Sequence, residues 1–252
     1  MMTLQEFFQS SPAGALAFSG GTDSSLLVWA AGKYGKNWRA YYLHSVFQPA
    51  FELGDARKIA SECGLPLTII EGDILSCREA AENSADRCYF CKRAIFSMIR
   101  RQAEQDGYSL LIDGTNASDD AGDRPGMRAL RELGVRSPLR ECGLSKWDVR
   151  DLSRQAGLFT WNKPAYACLA TRIPTGVPIT PEALKKVEQG ENMLASLGFT
   201  NFRIRLHGDV AVLQLPQEHF AYALERREEI LKRLQPLFRI VSLDLLARPA
   251  AL

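Results

Sequence analysis

Ala15-Leu16-Ala17-Phe18-Ser19-Gly20-Gly21-Thr22-Asp23-Ser24-Ser25-Leu26-Leu27 decides the fold. Its first four residues make an apolar run that suits a buried strand, and the run leads directly into two glycines. Glycine lets the backbone pass close under a ligand and leaves several N–H groups pointing one way, a nest for an anion. Ser24 and Ser25 stand where the next helix should start, so its dipole and unpaired N–H groups add to the same positive pole. Strand, nest and helix start describe a phosphate cradle formed by Ser19, Gly20, Gly21, Thr22, Asp23, Ser24 and Ser25. Asp23 is the group expected beside a magnesium ion (Mg2+) bridging phosphates, since a hard cation takes carboxylate and phosphate oxygens.

The cradle is neither of the common ones. No Lys-Ser or Lys-Thr follows the glycines at the spacing of GxxxxGK[ST], and GxGxxG is absent as well. SGGTDSS instead resembles the signature of the PP-loop ATP pyrophosphatases, which split ATP into AMP and pyrophosphate while adenylating a substrate oxygen.

Helical and extended patterns alternate after the cradle. Ser24 to Tyr34 reads as helix, Arg39 to Ser45 as strand, Glu52 to Cys63 as helix and Pro66 to Ile70 as strand. Ser109 to Asp113 supplies a further strand ending in Gly114-Thr115-Asn116, an end that should face the cradle. Helices between strands mean parallel pairing with right-handed crossovers, hence an α/β fold with a doubly wound, mostly parallel, Rossmann-like sheet and ligand at the carboxyl ends of its strands. Asp119, Asp120, Asp123, Arg124, Pro125 and Gly126 fall in one loop, and Ser145 caps a helix through Ala156 with Asp148 at the third helical position. Thr180-Pro181-Glu182 then opens a helix to Leu197. Strands Phe202 to Leu206 and Val210 to Leu215, helix Glu218 to Leu234 and strand Arg239 to Leu245 complete a smaller α+β domain. With Pro174 to Pro178 as linker, the domains are 1–173 and 174–252.

The 252 residues carry 31 Lys and Arg against 29 Asp and Glu, so no broad positive field draws the chain to nucleic acid or an acidic membrane. No apolar run of membrane-spanning length and no basic leader occurs, and the expected location is the cytoplasm. There, six cysteines argue for metal binding, catalysis or ordinary burial rather than a disulfide framework. Cys88 and Cys91 have CxxC spacing in Arg87-Cys-Tyr-Phe-Cys-Lys92, directly before an amphipathic helix. That spacing alone leaves a redox pair, a zinc half-site and an iron-sulfur half-site open. Cys168, in Lys163-Pro-Ala-Tyr-Ala-Cys-Leu-Ala-Thr-Arg-Ile-Pro174, is a third thiol in a segment without periodicity. Three thiolates could hold an iron-sulfide cubane with one iron open.

In order along nearly the whole chain, SGGTDSS, RCYFCK, DGTNASDD, RPGMRAL, SPL, KPAYACLATRIPTG, ITPE and FRIRLHGD resemble the ATP-dependent sulfurtransferases that act on pyridinium-3,5-biscarboxylic acid mononucleotide. That compound is the precursor of the nickel-pincer nucleotide cofactor of lactate racemase. The family divides into members that sacrifice the sulfur of one cysteine, matching Cys168, and members whose three cysteines carry a 4Fe-4S cluster. Cys88, Cys91 and Cys168 match the second kind. The resemblance then implies a hydrosulfide on the unique iron as the transferred sulfur, with Cys168 becoming dehydroalanine as the alternative.

The chemistry so implied joins these parts. A substrate carboxylate oxygen attacks the α-phosphate of ATP, pyrophosphate departs, a soft sulfur attacks the acyl carbon, and AMP leaves a thiocarboxylate. Lys92 either neutralises phosphate, as the resemblance indicates, or is a solvated first-turn lysine. Arg203 and Arg205 alternate on a strand and so project from one face, a pair suited to a phosphate or to solvent. The family pattern gives them the mononucleotide's phosphate, with Glu191 as a substrate contact and Arg172 as a weaker candidate. His44, His207 and His219 receive no role. A homo-oligomer fits the resemblance, and the sulfur source is not named by it. Two competing readings are an enzyme that thiolates tRNA and a zinc-bound nucleotide sensor.

Overall fold

Residues 2–119, 125–164 and 166–249 are described by the structure, a computed structural model. They belong to two compact units, Met1–Ala80 with Asp86–Lys163 and Ala81–Ala85 with Pro164–Leu252.

The first unit opens on α1 (Leu4–Ser10), which the apolar pattern did not announce. Thr3 and Glu6 form a reciprocal capping box at its start, and Phe7 and Phe8 are buried beneath it. There follow β1 (Ala13–Ala17), α2 (Thr22–Tyr34), β2 (Asn37–His44), α3 (Ala50–Glu62), β3 (Leu67–Glu71), α4 (Arg78–Ala81), α5 (Arg87–Gln105) and β4 (Leu111–Ile112). Next come α6 (Pro125–Glu132), α7 (Pro138–Glu141) and α8 (Lys146–Gln155). The strands run parallel in the order β3-β2-β1-β4, and a parallel bridge between Ile112 and Arg136 continues the sheet past β4. Strand order reverses beside β1, the topological switch point at which open α/β sheets bind ligands.

Alternation along the strands supplies two buried faces, which is why helices cover both. Leu16, Phe18, Trp38, Ala40, Tyr42 and Ile112 join one core with α1, α2 and α8. Ala15, Tyr41 and Leu111 are equally buried on the other face, where α5 packs against β1 and β2. The expected doubly wound α/β fold is the one found. The helix after the cradle begins at Thr22 rather than Ser24, because Gly21 already serves as its N-cap. The fourth strand is confined to Leu111–Ile112, since Asp113 turns into side-chain hydrogen bonds of its own. Of the acidic loop, Asp120, Asp123 and Arg124 lie outside the described residues, and Pro125 opens α6 in place of continuing it.

In the second unit, α9 (Pro181–Ser196) starts at Thr180, whose hydroxyl accepts from the Ala183 N–H. It packs on β5 (Arg203–His207), which pairs antiparallel with β6 (Val210–Gln214). The expected long helix is divided at Arg226 into α10 (Phe220–Glu225) and α11 (Arg227–Leu234), after which β7 (Ile240–Leu243) joins β6 in parallel. Residues 164–173 belong to this unit although Pro174 to Pro178 reads as the linker. Asn83 is part of the reason. Its buried amide donates to the carbonyls of Pro174 at 2.7 Å and Val177 at 3.0 Å, and its own carbonyl accepts from the Gly176 N–H. No described helix is long and apolar enough to cross a membrane.

Candidate functional site

The cradle lies in the first unit. β1 delivers the chain to Gly20, whose φ of +73° is a left-handed conformation that glycine adopts without strain. The N-cap of α2 is Gly21, so no side chain closes this helix end, where the first four N–H groups of a helix lack intrahelical partners. Ser24 folds back instead: its Oγ lies 3.0 Å from Ser19 Oγ and accepts from the Ser19 N–H at 3.3 Å. Thr22 Oγ1 donates to the Thr160 carbonyl at 2.8 Å, and Ser25 Oγ is buried without a hydrogen-bond partner. Gly114, at the end of β4, approaches so closely that a Cβ there would stand 3.0 Å from the Ser24 nitrogen. Ser19, Gly20, Gly21, Thr22, Asp23, Ser24, Ser25 and Gly114 are therefore brought together at one end of the sheet.

Asp23 faces two residues that sequence reasoning left without a role. Asn116 Nδ2 donates to its Oδ1 at 3.3 Å, and Lys146 Nζ to its Oδ2 at 2.5 Å. Behind them the loop after β4 is cross-bonded: Asp113 accepts from the hydroxyls of Thr115 at 2.5 Å and Ser137 at 2.6 Å, and Asn116 Oδ1 accepts from the N–H groups of Ser118 and Asp119. A lysine in the first turn of α8 opposes the helix dipole, and that was the signal available in sequence. Lys163, also unassigned, donates to the Gly20 carbonyl at 3.2 Å and to Asp55 Oδ2 at 2.7 Å.

Cys88 and Cys91 lie within the first turns of α5 rather than before it, and a separation of three residues sets both on one helix face. Cys88 is exposed, and Arg87 Nη2 stands 3.7 Å from its sulfur. Lys92 runs along α6: a Cβ on Gly126 would stand 2.9 Å from its Cδ and 3.3 Å from its Nζ. Paired thiols on one helical face suit an iron-sulfur edge. The third expected ligand, Cys168, belongs to the second unit, and among the described residues no three His, Cys, Asp or Glu side chains are gathered as a metal site.

In the second unit Cys168 is the N-cap of a short 3-10 turn, Leu169–Arg172, and its surroundings are fixed by charge. Arg172 is fully buried. Its Nε and Nη2 make a bidentate pair with Glu191 at 2.9 and 3.0 Å, while Nη1 donates to the carbonyls of Ala167 at 2.6 Å and Cys168 at 3.1 Å. Glu191, 5% exposed, also accepts from the Tyr166 hydroxyl and the Ile204 N–H. Both residues thus secure the cysteine turn to α9 and β5. The Tyr166 ring takes the guanidinium groups of Arg172 and Arg203 at 4.5 and 4.7 Å from its centroid, and Arg205 donates to the Thr171 carbonyl. Ile204 and Leu206 face the core, so Arg203 and Arg205 share the opposite face of β5 as expected.

Positive charge is concentrated here. Burial, then the nearby Arg172 guanidinium, pushes Arg203 down to about 10. Arg205 is lowered by burial, Arg172 and Arg248, and Arg248 by burial and Arg172. Arg248, another residue not singled out in sequence, is anchored through Nε to the Asn201 carbonyl at 3.0 Å. Such a cluster, opposed by Glu191, favours entry of an anion.

No family model matches the chain. It is 34% identical over 233 residues, 91% of its length and 84% of the other's, to a pyridinium-3,5-bisthiocarboxylic acid mononucleotide synthase of Lactiplantibacillus plantarum. An uncharacterized protein of Synechocystis is 36% identical over 85% of this chain and 81% of its own. A probable tRNA sulfurtransferase of Halothermothrix orenii is 25% identical over 73% of this chain and 49% of its own.

Proposed function

The chain belongs to the family of the pyridinium-3,5-bisthiocarboxylic acid mononucleotide synthases, and from that we propose that it transfers sulfur, with ATP, to a carboxyl group of pyridinium-3,5-biscarboxylic acid mononucleotide. The observation that carries the ATP half is the open glycine-capped start of α2 at the switch point of a parallel sheet, flanked by Asp23 and Lys146. An oxide is a poor leaving group. Attack of the substrate carboxylate on the α-phosphate, with loss of pyrophosphate, makes an acyl-adenylate whose leaving group is AMP. The N–H groups of the cradle stabilise the charge that develops on the departing pyrophosphate.

Asp23 suits magnesium, which keeps most of its waters and needs only one or two protein carboxylates beside the phosphates. Cys88, Cys91 and Cys168 would hold the 4Fe-4S cluster, which supplies a reactive sulfur when bound. The chain's own part in delivery is to fix the Cys168 turn, through Arg172 and Glu191, and to hold the mononucleotide's phosphate on Arg203 and Arg205. This refines the expected role of Glu191 and Arg172 from substrate contact to positioning. The near balance of 31 basic and 29 acidic residues supports a small-molecule substrate over tRNA.

The test is anaerobic incubation with ATP, magnesium and the biscarboxylic nucleotide, following AMP, pyrophosphate and thiocarboxylate together. Wild type should form all three in a fixed ratio. Cys168→Ala should still form AMP while thiocarboxylate falls at least a hundredfold, and undiminished thiocarboxylate from that variant would refute the assignment of sulfur delivery.

A further inference from the structure

Lys146 occupies the first position of α8, where the positive pole of the helix disfavours a cation. Its backbone N–H donates to Ser118 Oγ at 3.0 Å, and Ser145 and Asp148 cap the same end reciprocally, so the root of the side chain is fixed. From there the ammonium reaches Asp23 across 123 positions of sequence. The pair is partly solvated, with side-chain exposures of 38% and 24%, and such pairs contribute little to stability. The framework that aims them is nevertheless extensive: Asn116, 2% exposed, holds the other oxygen of Asp23, and Arg140 Nε donates to the Asn116 carbonyl at 3.4 Å. Asp23 is the second residue of α2, so the ammonium stands at the mouth of the N–H nest.

We propose that Lys146 is a nucleotide-phosphate ligand that exchanges its pairing with Asp23 for the polyphosphate when ATP enters the cradle. The proposal rests on the ATP reading of the cradle. Lysine is well matched to such a transfer, because its ammonium is a compact charge with three rotatable donors on a flexible stem. It can exchange a carboxylate for a phosphate oxygen without moving the helix that carries it. Polyphosphate offers more negative charge than Asp23, and the positive end of α2 lies on the same side.

Simple removal of Lys146 would also expose the Asp23 charge, so the test removes that charge first. ATP and adenosine binding are measured by calorimetry in EDTA at low salt for wild type, Asp23→Asn, and Asp23→Asn combined with Lys146→Gln or Lys146→Arg. Thermal unfolding confirms that each is folded. With Asp23 neutralised, Lys146→Gln should weaken ATP binding about tenfold or more, leave adenosine binding unchanged, and be rescued to within a few-fold by Lys146→Arg. Equal ATP affinity of Asp23→Asn with and without Lys146→Gln would overturn the proposal, leaving Lys146 only as the neutraliser of Asp23. Parallel loss of adenosine binding would overturn it too, as a structural effect. Absence of ATP and adenosine binding in both wild type and Asp23→Asn would instead defeat the ATP reading itself.

Discussion

Glu191 accepts from Arg172 twice, from Tyr166 and from the Ile204 N–H, all inside the second unit. Glu191→Ala would leave Arg172 buried without its counter-charge, and should cost about 3–5 kcal/mol in urea unfolding. A change within about 0.5 kcal/mol, the range of ordinary surface substitutions, would return Glu191 to the role of a substrate contact. Arg203 behaves differently. Its folded value of about 10 lies below that of a free guanidinium, so at neutral pH the buried charge is a standing cost that falls only as pH rises past about 10. An anion relieves it at neutral pH. Phosphate should therefore raise the Tm of wild type, and Arg203→Gln should abolish most of that rise without lowering the Tm measured in its absence. A phosphate response unchanged by the substitution would contradict an anion site on β5. The motif residues themselves were legible because glycine, serine and arginine spacing carries local geometry. The contacts of Lys146, Lys163 and Tyr166 were not, since they span 123, 143 and 25 positions and leave no periodic trace.

The strands of the first unit, with α2 and α3, could be read because apolar residues recur at the periods of 3.6 and 2 that two covered sheet faces require, whereas α1 gave no such pattern. Capping gave the ends of α8 and α9 through Ser145 with Asp148 and through Thr180 with Pro181. The division at Arg226 had no such mark, as neither glycine nor proline lies there. Nor could spacing show that Asn83 belongs with residues 173–179, a grouping made by hydrogen bonds from a distant segment. The junction of β4 with α2 offers a direct check on the cradle. A methyl on Gly114 would meet the Ser24 backbone at 3.0 and 3.2 Å, atoms that cannot turn aside as a flexible side chain would. Gly114→Ala should destabilise the protein by about 1–3 kcal/mol, the usual cost of overpacking. ATP binding should fall with it, and unchanged affinity would separate β4 from the nucleotide site.

Each unit of the molecule carries one part of the proposed chemistry. The first unit carries the nest, Asp23 and the paired thiols of α5; the second carries Cys168 and the cluster of Arg172, Arg203, Arg205 and Arg248. Neither part suffices for sulfur transfer to a carboxylate, which needs an activated acyl carbon and a sulfur to attack it. The decisive step of the proposed reaction is the passage of a substrate oxygen to the α-phosphate. It is tested by supplying the biscarboxylic nucleotide with heavy oxygen in its carboxyl groups, together with unlabelled ATP, and weighing the AMP released. One heavy oxygen should appear in AMP for each thiocarboxylate formed. Thiocarboxylate accompanied by unlabelled AMP would contradict activation through a carboxyl-adenylate.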